Sequence, residues 1–224
     1  MSGPSERTGR PERRTNVIRA QLQALVPPVW RSLPRRAPAA AGGTGLLLAA
    51  STRWPAEAPG EDGGLMLLRL IALTGAVGLA FLLDDPARHT TATTPLGRPL
   101  RAGLRLAMAV PLAALWWAAV LLVVPASARP PLGQVTLEAA ATAVAAVALA
   151  SAAIRFSDRA EVGKGTALWL GGAAVLTGLV PARWGLLTLP GQPWWEETQL
   201  RWAAVLAVTL AATALCTPEP LRRR

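Results

Sequence analysis

The stretch GGLMLLRLIALTGAVGLAFLLDDPARHTTATTP occupies residues 63–95 and consists of a long apolar run that ends in two acids and a proline. The run over 63–83 is close to the ~20 residues that an α-helix needs to cross the hydrocarbon core of a bilayer. Arg69 is the one charge inside it. The rest of the chain is similar, since 52% of its 224 residues are hydrophobic and 16% are charged. The sequence therefore predicts an all-α, polytopic membrane protein.

Five further apolar segments accompany this one. The six candidate transmembrane spans cover 37–51, 63–83, 106–126, 135–154, 166–182 and 199–216. Span 37–51 is the weakest, because its length gives only about 22 Å at 1.5 Å per residue. Arg36 and Trp54 would have to anchor it by snorkelling to the membrane surfaces. The interpretation divides the chain into an arginine-rich tail over 1–36, a six-helix domain over 37–216 and a basic tail over 217–224.

The distribution of charge predicts the orientation. The formal net charge is +10. If six spans cross and the N-terminus is cytoplasmic, 18 of the 23 basic residues fall on cytoplasmic segments. The external loops then hold only Arg53, Arg129, Arg183 and Arg201. This bias follows the positive-inside rule and predicts both termini in the cytosol, with the protein in a cytoplasmic membrane.

The excess positive charge indicates an anionic partner. We expect anionic lipids rather than nucleic acid, because the sequence contains no basic soluble domain with interleaved aromatic residues. The composition, rich in arginine, alanine, glycine and proline, is typical of a high-GC bacterial genome.

Before the first span, apolar residues recur at helical spacing over 15–30 (Ile18, Leu22, Leu25 and Val29). Arginines flank this stripe, which predicts an amphipathic helix lying on the inner membrane surface. Pro27 and Pro28 would end it. The alternative is a tail that folds only weakly.

The polar loop after 63–83 has two interpretations. Asp85 directly before Pro86 is typical of a helix N-cap, so a short helix over 86–91 is expected at the membrane surface. Arg98, Arg101 and Arg105 follow at offsets of 0, 3 and 7, which predicts one basic face toward the membrane or a partner. The loop is either a docking element for a cytoplasmic protein or a capped turn with basic anchors.

Two charges lie inside predicted spans at similar depth near their external ends. The favoured interpretation is that Arg69 and Glu138 each snorkel separately to the membrane surface, and the alternative hypothesis is that they form an ion pair. The external connection over 181–201 is too long for a hairpin. It is also too broken by prolines and glycine to cross the membrane, so we expect it to dip into the outer interface.

Six spans with both ends inside, a surface helix, a docking loop and a re-entrant external segment together resemble the permease subunits of ABC-2 type exporters. The words FLLDDPARHTTATTP and AVPLAALWW are similar to small permease-like proteins of high-GC bacteria. In that family the loop between spans two and three carries the coupling helix that docks on the ATP-binding subunit.

The resemblance implies that coupling involves Asp84, Asp85, Pro86, Ala87, Arg88 and His89. It also implies an ATP-binding cassette subunit as partner, a homo- or heterodimer with another permease subunit, and ATP bound on the partner rather than on this chain. Because the external loops are small, the alternative is a non-transporting assembly, immunity or regulatory protein.

No catalytic or metal site is expected. EETQLR over 196–201 matches the EExxxR word of intramembrane CAAX-type proteases, but the sole histidine is His89, upstream of it and on the opposite side of the predicted membrane. VGKGT over 162–166 lacks the first glycine of a phosphate-binding loop. We therefore expect the chain not to be an enzyme.

Overall fold

The computed structural model describes residues 35–54, 60–84, 98–156, 162–181 and 183–216, with the backbone alone for 98–102. Within these ranges the chain forms the α-helices α1 (Arg36–Ser51), α2 (Glu61–Ala80), α3 (Arg98–Val123), α4 (Leu132–Phe156), α5 (Gly163–Leu179) and α6 (Trp195–Cys216). Short 3-10 turns follow α2 at Phe81–Leu83 and α3 at Ala126–Ala128. No strand occurs in the described ranges, so the prediction of an all-α fold is confirmed. The tails over 1–34 and 217–224, including the predicted surface helix, lie outside the described residues.

Four of the helices in the described part of the chain are long and apolar enough to cross a membrane. They lie within Glu61–Leu83, Gly103–Val123, Leu132–Phe156 and Trp195–Cys216. The other two are shorter, since α1 has 16 residues and α5 has 17. These four apolar helices are those expected of a membrane protein.

Prolines decide where two of the helices end. The predicted span 106–126 overshoots, because α3 stops at Val123, two residues before Pro125. The predicted span 166–182 overshoots in the same way, since α5 ends at Leu179 and Val180 before Pro181 is extended (φ −76°, ψ 131°). A proline restricts the residue before it to extended backbone and cannot donate to the helix.

The helices alternate in direction. A Cβ on Gly78 of α2 would lie 2.7 Å from Ala41 Cβ of α1, and one on Gly45 of α1 would lie 3.3 Å from Ile71 Cγ2 of α2. Higher residue numbers in α2 thus face lower residue numbers in α1, so the two helices are antiparallel.

The contacts of α4 and α5 continue this alternation. One buried cluster joins Ala76 of α2, Ala146 of α4 and Leu170 of α5. A second joins Leu83, Ala150 and Val162. Residue numbers rise together in α2 and α4 and fall in α5, so α4 runs parallel to α2 while α5 runs against both.

Trp116 of α3 fills a groove lined by glycines between α1 and α2. A Cβ on Gly45 would lie 2.5 Å from Trp116 Cζ2, and one on Gly75 would lie 2.7 Å from Trp116 Cη2. The indole Nε1 donates a hydrogen bond to the Gly42 carbonyl at 3.0 Å. This tryptophan therefore packs against both α1 and α2. The glycines let the indole ring and the helices approach closely. Such close packing stabilises helix association in a membrane, where apolar side chains gain little by leaving lipid for one another.

Two arginines cap the end of α3. Arg53 Nε donates to the Val123 carbonyl at 2.6 Å, and Arg129 Nε donates to the Val124 carbonyl at 2.7 Å. Both also reach the Leu122 carbonyl, at 3.2 and 3.3 Å. The last carbonyls of a helix lack partners within it and carry partial negative charge, so guanidinium groups stabilise them.

Candidate functional site

Among the described residues, two groups of polar side chains join helices that are distant in the sequence. The first, the Asp84 junction, is formed by Asp84, Arg105, Val162 and Gly163. Asp84 Oδ1 accepts hydrogen bonds from the backbone N–H groups of Val162 and Gly163, both at 2.8 Å. The junction therefore joins the end of α2 to the start of α5.

Local sequence explains why Asp84 takes this role. Val162 stands at the N-cap position of α5 and makes no side-chain cap hydrogen bond. The first N–H groups of a helix need an acceptor and attract negative charge, which Asp84 supplies from a distant part of the chain. Gly163 permits the approach, because a Cβ there would collide with the Phe81 ring and lie 2.7 Å from Asp84 Oδ2.

Arg105 differs from the prediction of a basic face toward the membrane or a partner. Its exposure is only 7%, and Nη1 donates to the Asp84 carbonyl at 3.3 Å. The physical reason is that α3 begins at Arg98, so Arg105 already lies within the helix, which contacts the 3-10 turn Phe81–Leu83 that precedes Asp84. The guanidinium of Arg105 therefore serves the free carbonyl that follows α2.

The remaining predicted docking residues lie outside the residues that the structure describes, or are described by their backbone alone. Asp85, Pro86, Ala87, Arg88 and His89 lie outside the described residues, and so do the side chains of Arg98 and Arg101. The last two belong to the first turn of α3. Their expected contacts stay predictions.

The second group, the Glu138 junction, is formed by Arg69, Glu138, Thr188 and Gln199. The structure brings the two predicted partners together, with Arg69 Nε 2.7 Å from Glu138 Oε2 and Arg69 Nη2 3.0 Å from Glu138 Oε1. The side chains are 9% and 3% exposed. This side-on geometry uses two parallel N–H donors, the strong form of an arginine–carboxylate pair.

A third helix and a loop complete this junction. Gln199 Nε2 of α6 donates to Glu138 Oε1 at 2.9 Å. Arg69 Nη2 also donates to the Thr188 carbonyl at 2.9 Å. Nearby, Trp195 Nε1 donates to Gln134 Oε1 at 3.1 Å, which adds a second tie between α6 and α4. The Glu138 carboxylate thus links α2, α4 and α6, and Arg69 adds the chain between α5 and α6.

The Glu138 junction is polar and buried, and the Arg69–Glu138 pair within it is formally neutral. The hydrogen bonds of this junction hold helices together.

No family model, curated protein or solved structure matches the chain. In the described ranges no group of three or more histidine, cysteine or acidic side chains is placed to hold a metal.

Several buried polar atoms of the Glu138 junction, and one of Thr198, which precedes Gln199 in α6, have no hydrogen-bond partner among the described residues. These atoms are Arg69 Nη1, Thr188 Oγ1, Thr198 Oγ1 and Gln199 Oε1. Thr188 and Thr198 are fully buried. Buried polar atoms are normally paired, so four in one neighbourhood are unusual.

Residues 183–194, which we name the strap, connect α5 to α6 without regular structure. Gly191 has φ 82°, a conformation that favours glycine, and lets the chain turn so that Gln192 Oε1 accepts from the Leu189 N–H at 3.3 Å. Side chains hold three strap carbonyls near α6: Arg201 bonds those of Arg183 and Gly185, and Trp202 bonds that of Leu186. Non-helical backbone at membrane depth needs hydrogen-bond partners within the protein, and these side chains supply them for the three strap carbonyls.

Sequence reasoning missed Gln199, Thr188 and the capping role of Asp84. The missing local cap at the start of α5 is a signal that could have shown the need for an acceptor from elsewhere. A polar glutamine near the start of an apolar helix is a weaker signal for Gln199, because the register between α4 and α6 cannot be read from the sequence.

Proposed function

We propose that the chain is the membrane-spanning permease subunit of an ABC-type exporter in a bacterial cytoplasmic membrane. A separate ATP-binding cassette subunit hydrolyses the ATP. The observation that carries this proposal is the Asp84 junction. It attaches the start of the predicted docking loop to α2, α3 and α5 at once.

Six passes with both ends in the cytosol are part of the proposal. The alternating directions of α1, α2, α4 and α5 support it. At 1.5 Å per residue the short α1 and α5 span about 24 and 26 Å, less than an average bilayer core. Arg53 after α1 reaches the end of α3, which supports α1 extending to the external side. The bias of basic residues toward the cytosolic segments supports the same orientation.

Coupling would pass through the Asp84 carboxylate. A partner that binds the loop over 85–97 and moves this loop would pull on the end of α2. Asp84 would then transmit the movement to the start of α5. Rigid helices that move together in this way are the structural requirement for alternating access. The expected substrate is hydrophobic or amphipathic, and a second permease subunit, identical or related, would complete the pathway.

A second function is favoured by a different observation. The Glu138 junction ties three helices and the strap into one buried network at a single end of the bundle. A non-transporting assembly, immunity or regulatory protein would gain from such a fixed scaffold. It would bind its partners without opening either end.

Co-purification separates these functions. The tagged full-length chain would be solubilised from native membranes in a mild detergent, and bound proteins would be identified by mass spectrometry and assayed for ATP hydrolysis. The exporter function predicts a bound ATP-binding cassette protein. The charge swap Asp85→Lys with Arg88→Glu should release it without changing the elution volume of the chain.

The matched control is the swap Arg183→Glu with Glu196→Lys, which also leaves the net charge unchanged and places the altered charges near the other end of the bundle. It should retain the ATPase. Retention by both double variants, or absence of an ATPase from the native complex, would favour the scaffold function.

A further inference from the structure

We infer that the strap is a lid, latched by the Arg69–Glu138 pair, which opens the Glu138 junction to the outside. The inference rests on the sidedness of the proposed function, because it places the starts of α2, α4 and α6 at the external face. It does not require an ATPase. The structure described above is then the closed state of this end of the bundle.

The attachment of the strap is the first observation. Its carbonyl groups are held by side chains of neighbouring helices, with Arg69 on Thr188, Arg201 on Arg183 and Gly185, and Trp202 on Leu186. Rotation of these side chains, together with withdrawal of Leu189 from the core cluster that it packs against, would release the strap without unwinding a helix. Helices α2 and α6 can therefore stay intact while the strap moves.

The four unpartnered atoms are the second observation. Arg69 Nη1, Thr188 Oγ1, Thr198 Oγ1 and Gln199 Oε1 are buried and lack partners among the described residues. When the lid opens, external water can bond all four. Hydration of these atoms offsets part of the hydrogen bonding that is lost, so the closed and open states are closer in free energy than for a fully paired network.

Glu138 is the residue that keeps the lid closed. It accepts two bonds from Arg69 and one from Gln199, and so orients the guanidinium whose Nη2 also holds Thr188. Without the carboxylate, Arg69 would be an unpaired charge in a buried place. Opening to water relieves that cost, so loss of the Glu138 charge should favour the open state.

Cysteine labelling tests the lid. In a Cys216→Ser background, Thr188→Cys places a thiol at a fully buried position whose hydroxyl has no partner among the described residues, so the change removes no described hydrogen bond. Intact cells would be treated with a membrane-impermeant maleimide. We expect slow labelling in this background. Adding Glu138→Gln should raise the rate by about tenfold or more, because removing one partner of a buried pair shifts an equilibrium by more than a decade.

The control is Glu61→Gln, which removes the charge of an exposed acid in the first turn of α2, at the same end of the bundle. It should leave the labelling rate within twofold. A second variant, Arg69→Gln with Glu138→Gln, removes both charges and guards against misfolding of the single variant. The Glu138→Gln variant and the Arg69→Gln with Glu138→Gln variant should both elute at the same volume as the parent on size exclusion. Labelling that stays slow in both, or that rises equally in the control, overturns the lid.

Failure of the lid can be told from failure of the proposed topology. The chain with its native Cys216 should resist the impermeant reagent, because that residue ends α6 at the opposite end from Thr188. Rapid labelling of Cys216 from outside would overturn the six-pass topology. Slow labelling of Cys216 with an unresponsive Thr188→Cys would overturn only the lid.

Discussion

Asp84 Oδ1 accepts a hydrogen bond of 2.8 Å from the backbone N–H of Gly163, although the two residues are 79 positions apart. Asp84 thus caps a helix other than the one it follows. Placed at the end of α2 alone, its charge would oppose the partial negative charge of that helix end; at the start of α5 the interaction is favourable.

Removal of this cap is expected to destabilise the bundle. Asp84→Ala should lower the free energy of unfolding by about 1 kcal/mol, the usual loss for an N-cap acceptor, while Asp84→Asn should lose less because the amide oxygen still accepts. Unfolding by sodium dodecyl sulphate in mixed micelles measures the difference. Asp62→Ala, at an exposed acid in the first turn of α2, is the control. Equal stability of Asp84→Ala and the parent would show that the cap contributes nothing.

Gly64 should not tolerate a side chain. A Cβ at this position would overlap the carbonyl oxygen of Ala128, so backbone must shift in Gly64→Ala. We expect a loss of about 1–3 kcal/mol, as for other overpacked sites. Gly43→Ala in α1 is the matched change, since a Cβ there meets nothing within 4 Å, and it should keep or raise stability. Thermal unfolding in detergent compares the two variants. Similar melting temperatures would contradict the close packing of Gly64 against the Ala128 carbonyl.

Trp116 is expected to stabilise α1 through both its shape and its N–H. Trp116→Phe removes the hydrogen bond to Gly42 and should cost about 1 kcal/mol. Trp116→Ala empties the glycine-lined groove and should cost about 3–5 kcal/mol. Trp169→Phe, at a tryptophan that is 76% exposed, should leave stability nearly unchanged. A loss for Trp169→Phe as large as for Trp116→Phe would argue against the groove.

The two arginines at the end of α3 should act together. Arg53→Met and Arg129→Met are each expected to cost about 0.5–1 kcal/mol by exposing the last carbonyls of α3. Because both donate to the Leu122 carbonyl, their effects should not be additive in a double-mutant cycle. Unfolding in mixed micelles gives the coupling free energy, with Arg183→Met as the control. Strict additivity would indicate that the shared acceptor is unimportant.

Site-specific labelling should report the sidedness of the chain. In a Cys216→Ser background, His89→Cys and Ser5→Cys are expected to resist an impermeant maleimide in intact cells. Ser127→Cys, at an exposed position after α3, should react. Permeabilised cells provide the control for reactivity. Reaction at position 89 from outside would contradict the cytosolic location of the docking loop.

The extent of the helices followed closely from local sequence. Apolar runs predicted a helix at each of the six places, and the errors were at the ends. Pro125 and Pro181 terminate α3 and α5 earlier than hydrophobicity alone indicates. Arg98 and Arg101 were assigned to the approach to the span, but the backbone of α3 already includes them.

The partners of the polar residues followed from sequence only in part. The similar depths of Arg69 and Glu138 in two apolar runs suggested a pair as one hypothesis, while separate snorkelling was the favoured interpretation. The acceptor for Arg105 could not be predicted, since a basic residue at helical spacing suits a membrane surface as well as a buried carbonyl. Arg53 and Arg129 appeared only as exceptions to the charge bias, whereas the structure shows them capping α3.

Local sequence is enough to predict a set of apolar helices separated by prolines and charges, because helix length, hydrophobicity and the fixed φ of proline are properties of neighbouring residues. The packing of the helices was needed to show that Asp84 caps α5, that Gln199 joins the Arg69–Glu138 pair and that Arg69 also holds the strap at Thr188. These bonds join residues 61 to 119 positions apart. They depend on the register of packed helices, which no local pattern encodes.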